Sequence, residues 1–393
     1  MDQRERLIVV GPVPPPYHGV SVMMVHLLRA LEADGRVAAH LNTSDERGVH
    51  NAGRFDLDNV WLALRHALEI VRLLVRHRDA GVYVPISQNR LGVLRDAVFL
   101  VAARIARRRR YVHLHGGHFA DFYRDADPLT RLIARLAVTG AHQAWVLTPG
   151  LAGMFDGLVP PERVHVLENV VEDPLLESGA PERDGDHPLR ALFLSNLMPE
   201  KGALDLLAGL AAMGDEARGV EARIVGEGFD EIERRIDAEA AALRERGVTV
   251  KRLGSLTGGA KLEQLRWADA LVLPTYYPLE GQPLVLLEAM AAGLAIVASR
   301  HAGIPDTVRD GQEALLHEPR DIDGLARALG ELARSAELRE RLGAAGRARW
   351  EAAYRPERFA DDVRALVAGR PLSAGASRAA ASSRSTASSA TAD

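Results

Sequence analysis

The feature that most constrains this chain is an alternation: short apolar runs, each too brief for a helix, are separated by longer stretches of helical periodicity, and the pattern occurs twice. In the first half the runs are Leu7 to Gly11, Gly81 to Val84, Tyr111 to Leu114, Ala144 to Leu147 and Val164 to Leu167. Helical patterns cover Val60 to Arg76, Leu91 to Arg107 and Leu129 to Thr139. Near-continuous apolar runs suit strands buried on both faces, and their alternation with helices specifies a parallel, doubly wound α/β sheet. Residues 1–175 therefore read as one Rossmann-like domain. Pro, Gly and charge at Glu172-Asp173-Pro174 and from Glu177 to Pro188 break the pattern and read as a linker. It restarts with Arg190 to Ser195, Ala222 to Val225, Val248 to Leu253, Ala270 to Leu273, Ala295 to Ala298 and Ala314 to His317, which predicts a second Rossmann-like domain over 186–350. Domains of this kind bind ligands at the carboxyl ends of their strands, so the ligand is expected in a cleft where the two face each other. Residues 321 to 347 read as helical, and Pro356 to Val367 as a last helix. The Ser-, Ala-, Thr- and Gly-rich stretch 371–393 lacks the apolar bulk to offset its ordering entropy and predicts a disordered tail.

Apolar residues make up 47% of the 393 and charged residues 26%, a globular composition. No stretch reaches the roughly 18 to 20 apolar residues of a membrane span, and the run after Arg6 is too short for a signal peptide. With no cysteine in the chain, disulfides, thiolate metal sites and thiol nucleophiles are excluded. Together these predict a cytoplasmic protein. A net charge of −4 gives no reason to expect nucleic acid as a partner. The charge is uneven, however: residues 60 to 135 hold 14 Arg against 6 acids, including Arg107-Arg108-Arg109-Arg110. The basic stretch 65–110 is either a solvated face or a patch drawn to anionic membrane lipid, where each basic residue contributes about 1 kcal/mol. The second reading places the protein at the inner face of the membrane.

The chemistry centres on Glu280-Gly281-Gln282-Pro283-Leu284-Val285-Leu286-Leu287-Glu288. A loop acid is followed by a helix with a second acid on its second turn. Pro283 suits the first helical position, and the first-turn N–H groups are left to face a phosphate or a sugar oxygen. An amphipathic helix with a solvated acid at each end meets the same spacing. Lys201, at the end of Leu194 to Gly202, opens the helix Ala203 to Leu210, a position suited to a phosphate. Gly19 follows the strand Leu7 to Gly11 at another helix start. Tyr111 to His118 ends a strand with three imidazoles, and alternation puts His113 and His115 on one side of it. The pairs Asp56 and Asp58, Asp125 and Asp127, and Asp321 and Asp323 match a D-x-D metal pattern, but they fall in turns or at helix starts, where Asp caps N-termini. Gly226-Glu227-Gly228 reads as a tight turn.

The Glu280 to Glu288 segment resembles the E-x7-E motif of retaining glycosyltransferases of family 4, which have the GT-B fold. Leu271 to Pro274, Ala295 to Ser299 and Gly303 to Gly311 add to the likeness, which is strongest over residues 190 to 320. The resemblance implies that Glu288 meets the ribose of a nucleotide-sugar donor, and that Glu280 meets the donor sugar and the reaction centre. It implies that Gly281, Gln282, Pro283 and Leu284 line the donor, that Gly19 and Lys201 approach its diphosphate, and that His115, with His118 as second choice, approaches the sugar. It implies no metal and no further cofactor. It also implies that the terminal helix, about 355–368, packs back on the first domain. This chain carries Asn196 where the family usually has Arg. A neutral amide cannot supply the charged fork, so the diphosphate is held more weakly or shared with another base.

The function expected is a retaining transfer of a sugar from a nucleotide-diphosphate sugar to an acceptor held by the first domain, with a lipid-linked or cell-surface polysaccharide precursor as one candidate. Asn196 and Pro283 motivate the alternative, a non-catalytic nucleotide-sugar-binding protein that kept the GT-B fold.

Overall fold

The computed structural model describes residues 5–44, 57–174 and 187–372. Most of the expected linker, the expected tail beyond Leu372, and Asp56 lie outside them. The chain forms two units, one of residues up to Val170 together with those from Pro356, the other of Val171–Arg355. No described helix is long and apolar enough to cross a membrane.

The first unit runs β1 (Leu7–Gly11), α1 (Gly19–Ala33), β2 (Val37–Asn42), α2 (Leu57–Arg76), β3 (Gly81–Ile86), α3 (Arg90–Ile105), β4 (Arg110–Leu114), α4 (Phe119–Asp125), α5 (Pro128–Val138), β5 (Gln143–Val146) and β6 (Val164–Val166). All six strands are parallel, in the order β2-β1-β3-β4-β5-β6. β1 and β4 are buried along their whole length, as their apolar runs require. β2 is not announced by such a run. It lies at the sheet edge with mostly half-buried residues, including His40, so its sequence is under weaker apolar demand.

The crossovers β2 to β3, β3 to β4 and β4 to β5 all move the same way across the sheet. Right-handed connections then put α2, α3 and α5 on one face, where α3 packs against both its neighbours. The β1 to β2 crossover moves the other way and carries α1 to the opposite face. There α1 packs against the last helix of the chain, Pro356–Val367. His26 meets Phe359 edge-on with ring centroids 6.5 Å apart, and Gln143 Nε2 donates to the Leu366 carbonyl at 2.9 Å.

The second unit runs β7 (Arg190–Leu194), α6 (Ala203–Ala212), β8 (Glu221–Val225), α7 (Asp230–Glu245), β9 (Thr249–Arg252), α8 (Gly258–Trp267), β10 (Ala270–Leu273), α9 (Leu284–Ala291), β11 (Ala295–Ser299), α10 (Ile304–Thr307), β12 (Ala314–His317), α11 (Ile322–Arg334) and α12 (Ala336–Ala353); the terminal helix is α13. Its six parallel strands take the order β12-β11-β10-β7-β8-β9. The progression reverses between β7 and β10, so right-handed connections carry the helices that follow them to opposite faces of the sheet. The single helical stretch expected over 321–347 is two helices. Ser335 takes an extended conformation and its hydroxyl accepts from Leu338 N at 3.0 Å, a local cap that starts α12 anew.

α12 braces the short helix α9 from behind. Gly343 lies so close to the turn after α9 that a Cβ there would stand 2.2 Å from the Gly293 carbonyl oxygen. Arg347 donates to the Ala291 carbonyl at the end of α9. Gly343→Ala is therefore expected to push α9 and α12 apart at about 2 to 3 kcal/mol, read as a lower urea midpoint. An unchanged midpoint would show that the two helices are not held in register by this contact.

Candidate functional site

In the second unit the loops that leave β7 and β10 meet at the point where the strand order reverses. After β7 the chain passes Asn196, enters a turn of 3₁₀ helix at Pro199–Lys201, and reaches Gly202 in the left-handed region at φ 86°. A Cβ on Gly202 would stand 2.4 Å from the Pro274 carbonyl oxygen, so the backbone of this turn touches the end of the β10 segment. Tyr276 N donates to the Glu200 carbonyl at 2.8 Å and ties the two loops together.

Across this seam Lys201 Nζ donates to Glu280 Oε2 at 2.8 Å, with both side chains largely shielded from solvent. The Thr275 hydroxyl stands 3.3 Å from Glu280 Oε2 and 3.3 Å from the Glu200 carbonyl. The lysine also lies over the Tyr277 ring, 4.3 Å from its centroid. Burial and the nearby Glu280 and Glu200 carboxylates raise the Tyr277 hydroxyl pKa, so it remains a neutral donor. His301 contacts the Tyr277 carbonyl at 2.8 Å and Gly303 N donates to the Gly281 carbonyl at 3.0 Å, which fixes the loop before α9 from its other side.

Pro283 is the residue before α9 rather than its first: at φ −62° and ψ 125° it is extended, and the helix begins at Leu284 with no side-chain cap. The Gln282 side chain is turned inward, where Nε2 donates to Thr307 Oγ1 at 3.2 Å in a buried contact. This segment is thus left to present backbone rather than an amide side chain. Glu288, on the second turn of α9, does not share the Lys201 contact. It accepts from Lys261 Nζ at 2.6 Å, at the start of α8.

Lys261, Thr275 and Tyr277 complete this site and were not predicted from the sequence. Lys261 follows Gly258-Gly259 at a helix start, the same glycine-then-lysine signal that marks Lys201 in reverse order. Thr275 and Tyr277 carry no local signal, since their role comes from the pairing of β10 with β7.

Asn196 is exposed. The turn Gly226 to Gly228 lies against its loop: a Cβ on Gly226 would stand 1.9 Å from the Ser195 carbonyl oxygen, and one on Gly228 2.5 Å from that of Leu197. These glycines allow two strand ends to approach backbone to backbone.

In the first unit, Gly19 opens α1 at an exposed position with open space beside it. His18 caps this helix, its Nδ1 accepting from Ser21 N at 3.3 Å. His113 and His115 lie on one side of the chain at the end of β4, with ring centroids 3.9 Å apart. His113 Nδ1 meets the Tyr83 hydroxyl at 2.7 Å; His115 Nε2 is shut off from solvent without a hydrogen-bond partner. His118 N donates to Gln88 Oε1 at 2.6 Å and its ring lies 3.4 Å from Asp121, a contact local to α4.

In two of the D-x-D segments one aspartate is a cap: Asp127 accepts from Leu129 N and Thr130 N, and Asp321 from Gly324 N. Asp125 instead ends α4, where it pairs with Arg124. Among the described residues no three acidic or histidine side chains gather as metal ligands would.

The basic run needs correction. Arg110 is buried, donating to the Ala137 and Thr139 carbonyls, and burial pulls its pKa down to about 10. Arg109 is paired with Glu5. The four arginines are therefore not one outward face.

Burial lowers the His115 pKa to about 3, with the charge of His18 acting in the same sense, and it lowers His113 well below 6.5. Both rings are neutral at ordinary pH. The unfolded chain takes up these protons first, so the stability contribution is whole above 6.5 and is lost as the pH falls toward about 3. His115→Asn should flatten the acid limb of a melting-temperature profile over that window. A limb as steep as wild type would place the acid sensitivity elsewhere.

The family model described as "Glycosyl transferases group 1" matches residues 188–335. Glycogen synthase of Mycobacterium tuberculosis is 36% identical over 151 residues, 38% of this chain and 35% of that protein. The MMP alpha-(1->4)-mannosyltransferase of Mycolicibacterium hassiacum is 32% identical over 218 residues, 54% of this chain and 48% of that protein. The chain thus spans about half or less of the length of these relatives. Over 93% of its length it is similar in fold to sucrose-phosphate synthase from Thermosynechococcus elongatus, at TM-score 0.70 and 18% identity, covering 99% of that chain. HepE of Anabaena in complex with UDP gives TM-score 0.70 at 15% identity, over 93% of this chain and all of that one.

Proposed function

We propose, for a chain that belongs through residues 188–335 to the glycosyl transferases group 1 family and has the GT-B fold, that it transfers a hexose from a nucleotide-diphosphate sugar to an acceptor. The observation that carries this reading is the Lys201–Glu280 pair at the divergence of β7 and β10, with Glu288 on the helix that follows. A departing diphosphate needs positive charge and fixed N–H donors. Lys201 supplies the first, and the uncapped start of α9 the second.

In this reading the diphosphate gives Lys201 a new anionic partner, while Glu280, released from the lysine, accepts hydrogen bonds from the donor sugar. Glu288 turns from Lys261 to the ribose hydroxyls. Lys261, released from Glu288, takes the share of the charge that Asn196 cannot supply. His115, neutral and with Nε2 unpaired, has a hydrogen bond to offer a sugar hydroxyl. Configuration is retained, and the leaving phosphate assists the incoming acceptor hydroxyl by taking up its proton. No metal or other cofactor takes part.

The acceptor is a lipid-linked or cell-surface glycan precursor. A mannosyltransferase of Mycobacterium tuberculosis named for a phosphatidylinositol monomannoside, 30% identical over 202 residues, favours a lipid-borne one. The three relatives named are a synthase and two transferases, which gives the binding-only alternative no support.

Release of nucleoside diphosphate tests the reading, with the donor first chosen by thermal shift against uridine, guanosine and adenosine diphosphates and their sugars. Lys201→Ala should lower turnover on the order of 10²- to 10³-fold and cost about 3 kcal/mol by leaving a shielded carboxylate unpaired. Glu280→Gln should fold nearly as wild type, at about 1 kcal/mol, and lose turnover. Full turnover in either variant, or a wild type that binds donors and turns over none with any acceptor, defeats the proposal.

A further inference from the structure

The first unit exposes more apolar surface than its fold explains, and that surface is organised. On α2, Trp61, Leu64, Leu68, Val71 and Val75 are each between 51% and 63% exposed. Their spacing of three and four residues puts all five on one stripe of the helix. Ile70 and Leu74, on the opposite side of α2, are the residues buried in the core. This helix is therefore apolar on two faces, and only one of them is used by the fold.

The same arrangement continues next door. On α3, Leu91, Val98 and Ile105 are exposed at seven-residue intervals, Ile105 to 78%. On α5, Leu129, Leu132 and Leu136 are exposed at intervals of three and four. Since α3 packs against both α2 and α5 on one face of the sheet, three apolar stripes lie side by side. Contiguous apolar area of this kind on a single chain marks an interaction surface.

Charge identifies what covers it. Arg65, Arg72 and Arg76 follow the α2 stripe along one flank, with Arg65 over the Trp61 ring at 5.7 Å and Arg72 3.5 Å from Glu69 on that flank, and Arg107 and Arg135 are exposed on α3's C-terminal side and on α5. A two-fold dimer through this face would bring two arginine-bearing patches of the same sign together, since such an interface presents the same patch on both sides. An anionic lipid surface complements them, accepts the aliphatic stripes below its headgroups, and suits Trp61 at the boundary.

We infer that α2, α3 and α5 of the first unit form a membrane-docking surface that inserts the stripe Trp61, Leu64, Leu68, Val71 and Val75 into an anionic bilayer, with Arg65, Arg72 and Arg76 against the headgroups. This deepens the proposed function by stating how the enzyme meets a lipid-borne acceptor, and it rests on that reading for its purpose alone. Its mark is that apolar insertion holds part of the binding in salt, where a purely electrostatic patch lets go.

The test is flotation of the full chain with vesicles of equal parts phosphatidylcholine and phosphatidylglycerol, and with phosphatidylcholine alone. Wild type should float with the anionic vesicles and retain measurable binding in 1 M salt, roughly a 3 Å screening length. Leu64→Ser, Leu68→Ser and Val71→Ser together should weaken binding on the order of tenfold or more. All three are surface positions, so the melting temperature should hold. Arg65, Arg72 and Arg76 to Gln should abolish the preference for the anionic vesicles. Emission of Trp61 should move to shorter wavelength on binding, with Trp61→Phe as the control.

Absence of wild-type flotation overturns the inference. So does sedimentation as a dimer that the serine variant dissolves without any vesicle binding, which would assign the face to a second copy. Flotation is read without turnover, so its failure leaves the transferase reading standing. Normal nucleoside diphosphate release by the serine variant with a soluble acceptor would separate docking from catalysis.

Discussion

The structure of the second unit turns on one ion pair across a sheet seam. Lys201 and Glu280 lie 79 residues apart in sequence, yet their loops leave strands that are hydrogen-bonded neighbours. The parallel sheet decides that meeting: β7 begins the unit, later strands add on either side of it, and the loops at the reversal are brought together. Gly202 permits the backbone contact with Pro274 that draws the loops close enough for the side chains to bond. The Thr275 hydroxyl and the Tyr277 ring then hold the pair in a partly desolvated pocket, where a charge contact is worth more than on an open surface.

The two-unit α/β architecture was legible because buried parallel strands must be nearly all apolar, and runs such as Ala270 to Leu273 and Ala295 to Ser299 can hardly be anything else. β2 escaped notice for the converse reason: an edge strand tolerates His40 and Asn42. The break at Ser335 was hidden because helical periodicity continues on both sides of it, and the deciding hydrogen bond belongs to one hydroxyl. In the site, Lys201, Glu280 and Glu288 were visible as motif residues. Their actual partners were less so: Glu288 bonds Lys261, and Gln282 turns away toward Thr307, because both depend on elements distant in sequence.

The arginine-rich stretch shows how composition misleads until burial is known. Counting charges finds an excess over residues 60–135 but cannot tell that Arg110 serves the carbonyls of Ala137 and Thr139, or that Arg109 is matched by Glu5. Nor can periodicity of α2 alone reveal that its apolar residues divide between two opposed faces. Only the position of Ile70 and Leu74 against the sheet shows that the other stripe is surplus to the core.

The Lys201–Glu280 contact also has a bearing on which solutes the pocket tolerates. A small inorganic anion that captured the ammonium would strand a shielded carboxylate, so the exchange returns little. A ligand that brings a negative group and hydroxyl donors on one scaffold re-partners both residues in a single event. Under the proposed transferase reading, mutual satisfaction in the resting protein would act as a filter against the abundant phosphate of any cell.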